Sequence, residues 1–410
     1  MIDLESLISL PFDARIKGFF DYVNDRRALE AVGRSTRGNV WEVFRYDNAV
    51  EVLSDFHTFS SDMNAFIPEG EQQLARAAGG HLAGIDPPRH TELRGLINRA
   101  FTPAVITKLE PRITAIAEKL LDDAVTPTEH RATFDVINDF AGPLTATMIA
   151  ELFGIPDSDH AILSTWATIL LNAKPAGELG VADEEAMQKV AELLREVAEY
   201  LSRHIRDRRA RPSDDLASNL TVAEVDGKKL SDDEIIGVIG MFLLAGFLPG
   251  SLLIGNTIMC LDQHPDVFAE VRQDPELLPA AIEEVLRWRP PLVRDQRITT
   301  RDVQLGGKAI PALSPVCVWL ASANRDETHF DTPNEFNIRR NAGRHLALGK
   351  GIHYCLGTAL TRLEARIALS ALIRRFDRVE VVREGGVEFH KSIGLLGPSS
   401  LPVAVAREAP

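Results

Sequence analysis

The chain has 410 residues, of which 45% are hydrophobic and 25% are charged, and its formal net charge is −14 at pH 7. This acidic balance disfavours binding to nucleic acid, whose phosphates would repel it. The three cysteines have no paired spacing, which excludes a disulfide scaffold or a Cys-x-x-Cys metal site and indicates a reducing, cytoplasmic location. The N-terminal segment lacks an apolar core, so we do not expect a signal peptide.

No Pro/Gly/Ser-rich linker, repeat or low-complexity segment divides the chain, and we therefore predict a single domain over residues 1–410. A short strand is predicted at Val40–Arg45, followed by a helix that includes Ala49–Leu53. Residues 60–83 have no clear period and are predicted to form a long loop. Further helices are predicted to begin near Arg89, Val105, Phe140, Ala161 and Glu184, with a break at 172–180. Residues 214–229 are polar and predicted to form turns.

A charge-free stretch from Ile235 to Leu261 follows a capping box made by Ser231 and Glu234. Its length would suit a membrane span, but both flanks are acidic and Pro249 interrupts its middle. We therefore predict a long buried helix in a soluble protein, with no membrane contact. Because proline removes one helical hydrogen bond, the helix is expected to kink or open at Pro249.

Helical and β patterns alternate in the last third of the chain. A helix is predicted over Pro279–Trp288, ending before two prolines. The following segment favours strands over Ile298–Leu305 and Val316–Trp319, joined through a Gly-Gly turn. The fold class predicted is therefore mainly α with a small β subdomain.

The most informative motif is the loop LGKGIHYCLG, from Leu348 to Gly357. Cys355 precedes an amphipathic helix, whose N-terminal N–H groups and dipole favour a thiolate. A single thiolate in this position suits one axial site on a metal, and haem iron accepts such a ligand. Gly349 and Gly357 allow the backbone to turn tightly and to approach a flat partner closely.

This loop resembles the haem-binding signature of the cytochrome P450 family in its glycines, its histidine and its cysteine. The resemblance implies the cytochrome P450 fold, with haem b between the long central helix and the helix after the cysteine, and Cys355 as the iron ligand. The family usually has phenylalanine where Leu348 stands. This departure concerns the tuning of the iron more than the presence of haem.

Other matches imply further haem contacts. His90 and Arg94 lie four residues apart on one predicted helical face. They resemble the family's His-x-x-x-Arg motif, whose members bind the haem propionates. Arg297 and His353 match the family's other propionate-binding residues, and arginine suits a carboxylate because of its bidentate geometry.

Glu284 and Arg287, at i and i+3, resemble the family's Glu-x-x-Arg pair. The third member of that buried charge network would be Arg340, with Arg339 as the adjacent alternative. The role implied for this network is structural: it would hold the cysteine loop in place.

The central helix departs from the family pattern. Family members carry an acid and an alcohol that relay protons during dioxygen activation, whereas this chain has Ala245-Gly246-Phe247-Leu248-Pro249-Gly250. Leu248 stands at the acid position and Pro249 at the alcohol position, and neither side chain can donate a proton. We therefore predict altered or substrate-assisted proton delivery.

Family position also outlines a mainly apolar substrate pocket. Its predicted members are Phe66, Leu171, Leu244, Phe247, Leu292, Val293, Arg294 and Leu395. Arg294 is the exception, because a charge facing the pocket would need an anionic partner.

The resemblance implies a haem-thiolate monooxygenase that oxidises a small or medium organic molecule in secondary metabolism. Electrons would come from a ferredoxin or another separate donor, because no flavin or nicotinamide fingerprint is present. Within the enzyme class, a coupling, desaturating or peroxide-using reaction remains open, although Leu248 replaces the arginine of fatty-acid peroxygenases. A haem-binding sensor or electron carrier, or a helical binding protein without haem, is the alternative from another class.

Overall fold

The computed structural model describes residues 4–7, 10, 12–35, 39–62, 82–126, 130–160, 162–163, 165–166, 184–225, 227–384 and 386–407. The chain forms two compact units. The larger unit contains Met1–Phe59, Glu110–Leu144 and Pro249–Pro410, and the smaller contains Ser60–Leu109 and Thr145–Leu248. The assignment of the whole chain to a single domain stays a prediction.

Helices account for most of the described residues, which confirms the predicted mainly α class. The α-helices are α1 (Leu4–Leu7), α2 (Phe12–Leu29), α3 (Tyr46–Ser54), α4 (Arg89–Ala100), α5 (Pro103–Lys108), α6 (Glu110–Ala124), α7 (Gly142–Leu152), α8 (Glu184–Ala210), α9 (Leu216–Val222), α10 (Asp232–Gln263), α11 (Pro265–Gln273), α12 (Leu278–Trp288), α13 (Leu320–Ala323) and α14 (Thr358–Arg375). The helix predicted from about Ala161 lies largely outside the described residues.

The strands are short, none longer than five residues within the described part of the chain. They are β1 (Val32–Arg34), β2 (Trp41–Val43), β3 (Phe59–Ser60), β4 (Arg131–Asp135), β5 (Glu224–Val225), β6 (Lys228–Lys229), β7 (Asp295–Thr299), β8 (Val303–Leu305), β9 (Lys308–Ile310), β10 (Pro315–Val318), β11 (Arg378–Val381), β12 (Glu388–Phe389), β13 (Pro398–Ser400) and β14 (Pro402–Ala406). The stretch predicted as one β segment from Ile298 forms two strands, β7 and β8, in different sheets.

The largest sheet has the order β1-β2-β10-β7-β3. Strand β10 runs parallel to β2, with Val316 opposite Trp41, and antiparallel to β7, with Val316 opposite Arg297. A second sheet has the order β11-β14-β4 and joins strands near the C-terminus to a strand at Arg131–Asp135. The β subdomain therefore includes the N-terminal strands β1, β2 and β3, which local sequence patterns did not associate with it.

In the smaller unit, the segment 214–229 was predicted to form turns, but the structure shows regular elements there. These residues form helix α9 and the hairpin β5–β6. Asp215 caps the helix by accepting a hydrogen bond from the Ser218 N–H at 2.7 Å. The polar side chains Ser218 and Thr221, both buried, had hidden the helical pattern.

The long helix α10 begins at the predicted capping box. The Ser231 N–H donates to Glu234 Oε2 at 2.9 Å, and the Glu234 N–H donates to Ser231 Oγ at 3.3 Å. The helix continues through Pro249 to Gln263, so it does not open there, and the kink stays a prediction. Proline removes a single i→i−4 bond, and the neighbouring bonds preserve the helix. Within the described residues this is the one helix long and apolar enough to cross a membrane, a property that core helices share.

Candidate active site

The cysteine loop turns at two glycines. Gly349 and Gly351 have positive φ angles of 74° and 70°, a region that glycine adopts without strain. A Cβ atom on Gly351 would lie 2.5 Å from the backbone oxygen of Leu53, so the loop can pack against the end of α3 only with glycine there. The Cys355 N–H donates to the Leu348 carbonyl at 2.8 Å. These contacts fix the backbone that carries the cysteine.

Cys355 differs from the other two cysteines in exposure. Cys260 and Cys317 are fully buried, and burial raises the pKa of both thiols, that of Cys317 to about 12. Both are therefore held as uncharged thiols. Cys355 is partly exposed and lies just before α14, where the Thr358 hydroxyl donates to its carbonyl at 2.7 Å. It is the cysteine best placed to bind a metal.

Glu284 and Arg287 form a fully buried ion pair on α12, the two side chains meeting in a bidentate arrangement at 2.7 and 2.8 Å. Arg340 Nε lies 3.4 Å from Glu284 Oε1. Arg339 pairs instead with Glu270 on α11. The structure thus brings together the three residues predicted for the charge network and leaves the alternative Arg339 outside it.

Arg287 also donates to three backbone carbonyls in the segment before the cysteine loop. They belong to Asn324, Pro333 and Glu335, at 2.8–3.1 Å. Glu284 accepts the Asn337 N–H at 3.0 Å. The network therefore ties α12 to the irregular chain that leads to Cys355.

A second ion pair on α12 was missed by the sequence analysis. Glu283 accepts from Arg362 on α14 at 2.5 and 2.8 Å and lies 3.3 Å from His345 Nε2. Burial alone would raise the pKa of Glu283, but hydrogen bonds and charges from Arg362 and His345 lower it to about 2. The pair anchors the helix after Cys355, and its partners lie too far apart in sequence for a local pattern to reveal them.

The predicted haem residue Arg297 lies on β7 and is 4% exposed. Its Nη1 donates to Asp295 Oδ1 at 2.9 Å and to the Gln296 carbonyl at 2.6 Å. His353 lies in a short 3₁₀ turn, Gly351–His353, in the cysteine loop. Both sites are in the larger unit.

The other predicted haem residues are in the smaller unit. His90 and Arg94 lie one turn apart on α4, and His90 is 2% exposed. Neighbouring Arg89 pairs with Glu92 at 2.6 Å and with Glu234 at the start of α10. The shared helical face predicted for His90 and Arg94 is therefore present.

On α10, Ala245 is exposed, whereas Leu248 is 3% exposed. Pro249 has no N–H, so the Ala245 carbonyl lacks its usual helical donor. The carbonyl of Phe247 accepts the Thr145 hydroxyl at 3.0 Å. Gly246 lies beside Ile149, whose Cδ1 would be 2.5 Å from an added Cβ.

The predicted pocket residues have different environments. Leu292 and Leu395 form a β-bridge, and Leu292 is 41% exposed, whereas Val293 is buried in the core. The Arg294 guanidinium lies over the Trp319 ring, 5.9 Å from its centroid. Phe66, Leu171 and the side chain of Leu244 lie outside the part of the chain that the structure describes. The role of this set as a pocket stays a prediction.

The residues fit a haem-bound iron. Among the described residues, no group of three or more His, Cys, Asp and Glu side chains could hold a metal. A metal at Cys355 would therefore need its remaining ligands from a bound group, as a porphyrin provides. Arg297, a nearly buried cation, suits one of that group's carboxylates.

Comparison with known proteins gives consistent matches. The family model described as Cytochrome P450 matches residues 38–399. Cyclomarin C epoxidase CymV of Salinispora arenicola is 40% identical over 93% of this chain and 95% of its own length. Erythromycin C-12 hydroxylase of Saccharopolyspora erythraea is 38% identical over 98% of both chains. Among solved structures, HmtN, a post-tailoring hydroxylase involved in himastatin biosynthesis, aligns with a TM-score of 0.81 at 38% identity, over 93% of this chain and 95% of its own.

Proposed function

The chain belongs to the cytochrome P450 family, and on that premise we propose that it oxidises a medium-sized secondary metabolite using a proton donated by the substrate. Proteins of this family are haem b-dependent monooxygenases, and their named relatives favour an enzyme over a sensor or electron carrier. The observation that carries the proposal is the Leu248-Pro249 sequence inside an unbroken α10.

In the proposed site, Cys355 would bind the iron, and His90, Arg94, Arg297 and His353 would bind the propionates. When bound, the haem–thiolate group activates dioxygen so that one oxygen atom is inserted into an organic molecule. The protein's part is to hold Cys355 through the Glu284 network and to present the substrate.

The substrate class is supported by the relatives. One acts as an epoxidase on cyclomarin C, another hydroxylates erythromycin, and a third works in himastatin biosynthesis. We infer an oxidation of the same kind, with hydroxylation or epoxidation of a polyketide- or peptide-like compound as the reaction.

Proton delivery is the part of the proposal specific to this chain. Between Ala245 and Gly250 no side chain carries an O–H or N–H group. The Thr145 hydroxyl is occupied by the Phe247 carbonyl. We propose that a hydroxyl or carboxylic acid on the substrate supplies the proton, and its hydrogen bonds would also orient the molecule.

The electron donor proposed is a separate ferredoxin, and the protein is proposed to act in the cytoplasm. Arg344 and Lys350 in and before the cysteine loop are exposed and suit an acidic partner. Arg362, on the helix after Cys355, is engaged by Glu283 and contributes less charge.

A spectral screen tests the assignment directly. Polyketide and peptide compounds that bind beside the iron should shift the visible spectrum of the haem-loaded protein. Cys355→His should abolish the thiolate band of the reduced carbon monoxide complex, while Cys260→Ala and Cys317→Ala should retain it. Loss of the band in either control instead would overturn the assignment of Cys355.

Coupling measurements test the proton source. Wild-type protein should turn most of its consumed electrons into product with a substrate that carries a hydroxyl, and into peroxide with the analogue that lacks it. Pro249→Thr restores an alcohol and should improve coupling on the analogue. Pro249→Ala restores only the N–H and serves as the matched control. Tight coupling of the wild type on the analogue would contradict substrate assistance.

A further inference from the structure

The larger unit contains a cavity of about 410 Å³, open to solvent on one side, that none of the predicted haem or substrate residues lines. One wall is the face of α2 that carries Ile16, Phe20 and Asn24. The other lining residues include Trp288 and Arg289 at the end of α12 and Arg325 just after α13. Its volume is in the range that binds small organic molecules.

Two arginines in this cavity have no acidic partner. Arg289 is 2% exposed and Arg325 is 6% exposed. Arg289 donates from Nη2 to Gln263 Oε1 at 2.8 Å, while its Nε and Nη1 are buried without a hydrogen-bond partner. Arg325 donates from Nη2 to the Trp288 carbonyl at 2.7 Å. Within the described part of the chain, neither guanidinium forms an ion pair.

Aromatic rings hold both guanidiniums in place. The Arg325 guanidinium carbon lies 3.4 Å from the centroid of Phe20 and 4.8 Å from that of Trp288. The Arg289 guanidinium carbon lies 5.2 Å from the Trp288 centroid. The Trp288 indole N–H is itself buried without an acceptor. Two guanidinium groups therefore pack against the Trp288 indole, and the N–H of that indole has no acceptor.

This arrangement is costly without an anion. Burial, together with the charges of Arg287 and Arg289, lowers the pKa of the Arg325 guanidinium, which means that the cation is disfavoured there. A guanidinium nevertheless keeps its proton in proteins. A buried cation without a counter-charge is strongly unfavourable, and a bound anion would remove much of that penalty.

The cavity mouth limits the kind of anion. Lys17 pairs with Asp21 at 2.6 Å, so their charges cancel, and Asp13 adds an exposed negative charge. Acidic groups at the mouth would repel a polyanion, while the interior combines cations with Phe20 and Trp288. A single acidic head group with an apolar body satisfies both regions.

We propose that this cavity is a second ligand site, which binds a small amphipathic carboxylate between α2 and the end of α12. The carboxylate would lie near Arg289 and Arg325, and its apolar body would pack against Phe20 and Ile16. The site is independent of the proposed reaction, because the ligand would bind away from the haem and would not contact the iron.

Calorimetric titration of the haem-loaded full chain tests this site. The probes are benzoate, 4-phenylbutyrate and octanoate at up to millimolar concentration, with 4-phenylbutanamide as an uncharged match. Saturating imidazole on the iron blocks binding at the haem. We expect one carboxylate per chain to bind with imidazole present and without a change in the visible spectrum, and we expect the amide to bind at least tenfold more weakly.

Two variants locate the binding. Arg289→Gln should weaken carboxylate binding at least tenfold, whereas Arg378→Gln, at an exposed arginine on β11, should not change it. Ile16→Trp adds bulk on the α2 wall without altering either arginine and should weaken binding even if Arg289→Gln does not fold. The proposal is overturned if no probe binds, if the amide binds equally well, if imidazole abolishes binding, or if Ile16→Trp binds as tightly as the wild type.

Discussion

Two groups of buried arginines lie at the end of α12 and differ in what surrounds them. Arg287 is fully buried, pairs with Glu284 and donates to three carbonyls. Arg289, two residues later, is also buried but has no carboxylate partner, and two of its nitrogens make no hydrogen bond. The first group is complete within the protein and positions the cysteine loop. The second is incomplete, which is the property expected of a site that receives a ligand.

Removing the carboxylate from the complete group should have the largest effect. Glu284→Gln leaves Arg287 buried without a counter-charge, and we expect a loss of about 3–5 kcal/mol in the free energy of unfolding. Haem retention should fall with it. Glu270→Gln is the matched control because its partner Arg339 is exposed, and it should cost less than about 1 kcal/mol. Equal losses in the two variants would contradict the structural role of Glu284.

A smaller effect is expected from the third member of the network. Arg340→Gln leaves the Glu284–Arg287 pair intact and removes the charged donor 3.4 Å from Glu284, together with its hydrogen bonds to the Asp331 and Thr332 carbonyls. We expect a loss of about 1.5–3 kcal/mol, as for a hydrogen bond to a charged group. Denaturant unfolding measures it, with Arg339→Gln as the neighbouring control. A greater loss of unfolding free energy in Arg339→Gln than in Arg340→Gln would mean that Arg339 is the third member of the network.

The stability contributed by the Glu283–Arg362 ion pair should depend on pH. The pKa of Glu283 in the folded protein is about 2, below the pKa of a glutamate in the unfolded chain. The stability that ionised Glu283 contributes is therefore complete above the unfolded-state pKa and is lost as the pH falls. The stability difference between wild type and Glu283→Gln should therefore close between about pH 4.5 and pH 2. Urea unfolding across that range measures it, and a constant difference would contradict the assignment.

The smallest effect is expected in the incomplete group. Without ligand, Arg289→Met removes an unpaired buried cation and one hydrogen bond to Gln263. We expect stability to change by less than about 1 kcal/mol, or to rise. Arg287→Met, the same substitution two residues earlier, should cost several-fold more. A similar loss in both variants would mean that Arg289 is as structurally integrated as Arg287.

The sequence predicted those features that depend on local spacing. The i, i+3 relation of Glu284 and Arg287, the glycines around Cys355 and the capping box of α10 are all visible in short windows. The Glu283–Arg362 pair was missed because its members lie on different helices. The cavity at Arg289 could not be predicted, since a missing partner is evident only once every neighbour is placed. At Pro249 the helix does not open, because neighbouring hydrogen bonds maintain it, and the kink stays a prediction.

The parallel pairing of β2 with β10 has a consequence for how the protein is made. Trp41 lies opposite Val316, so the strand that β2 needs leaves the ribosome long after β2 itself. At about 5–20 residues per second, that interval is roughly 15–55 s. During this time β2 presents an unpaired edge, which is a template for aggregation. The nascent chain should therefore depend on holding chaperones until its last third is synthesised, and heterologous expression should improve at slow translation rates and low temperature.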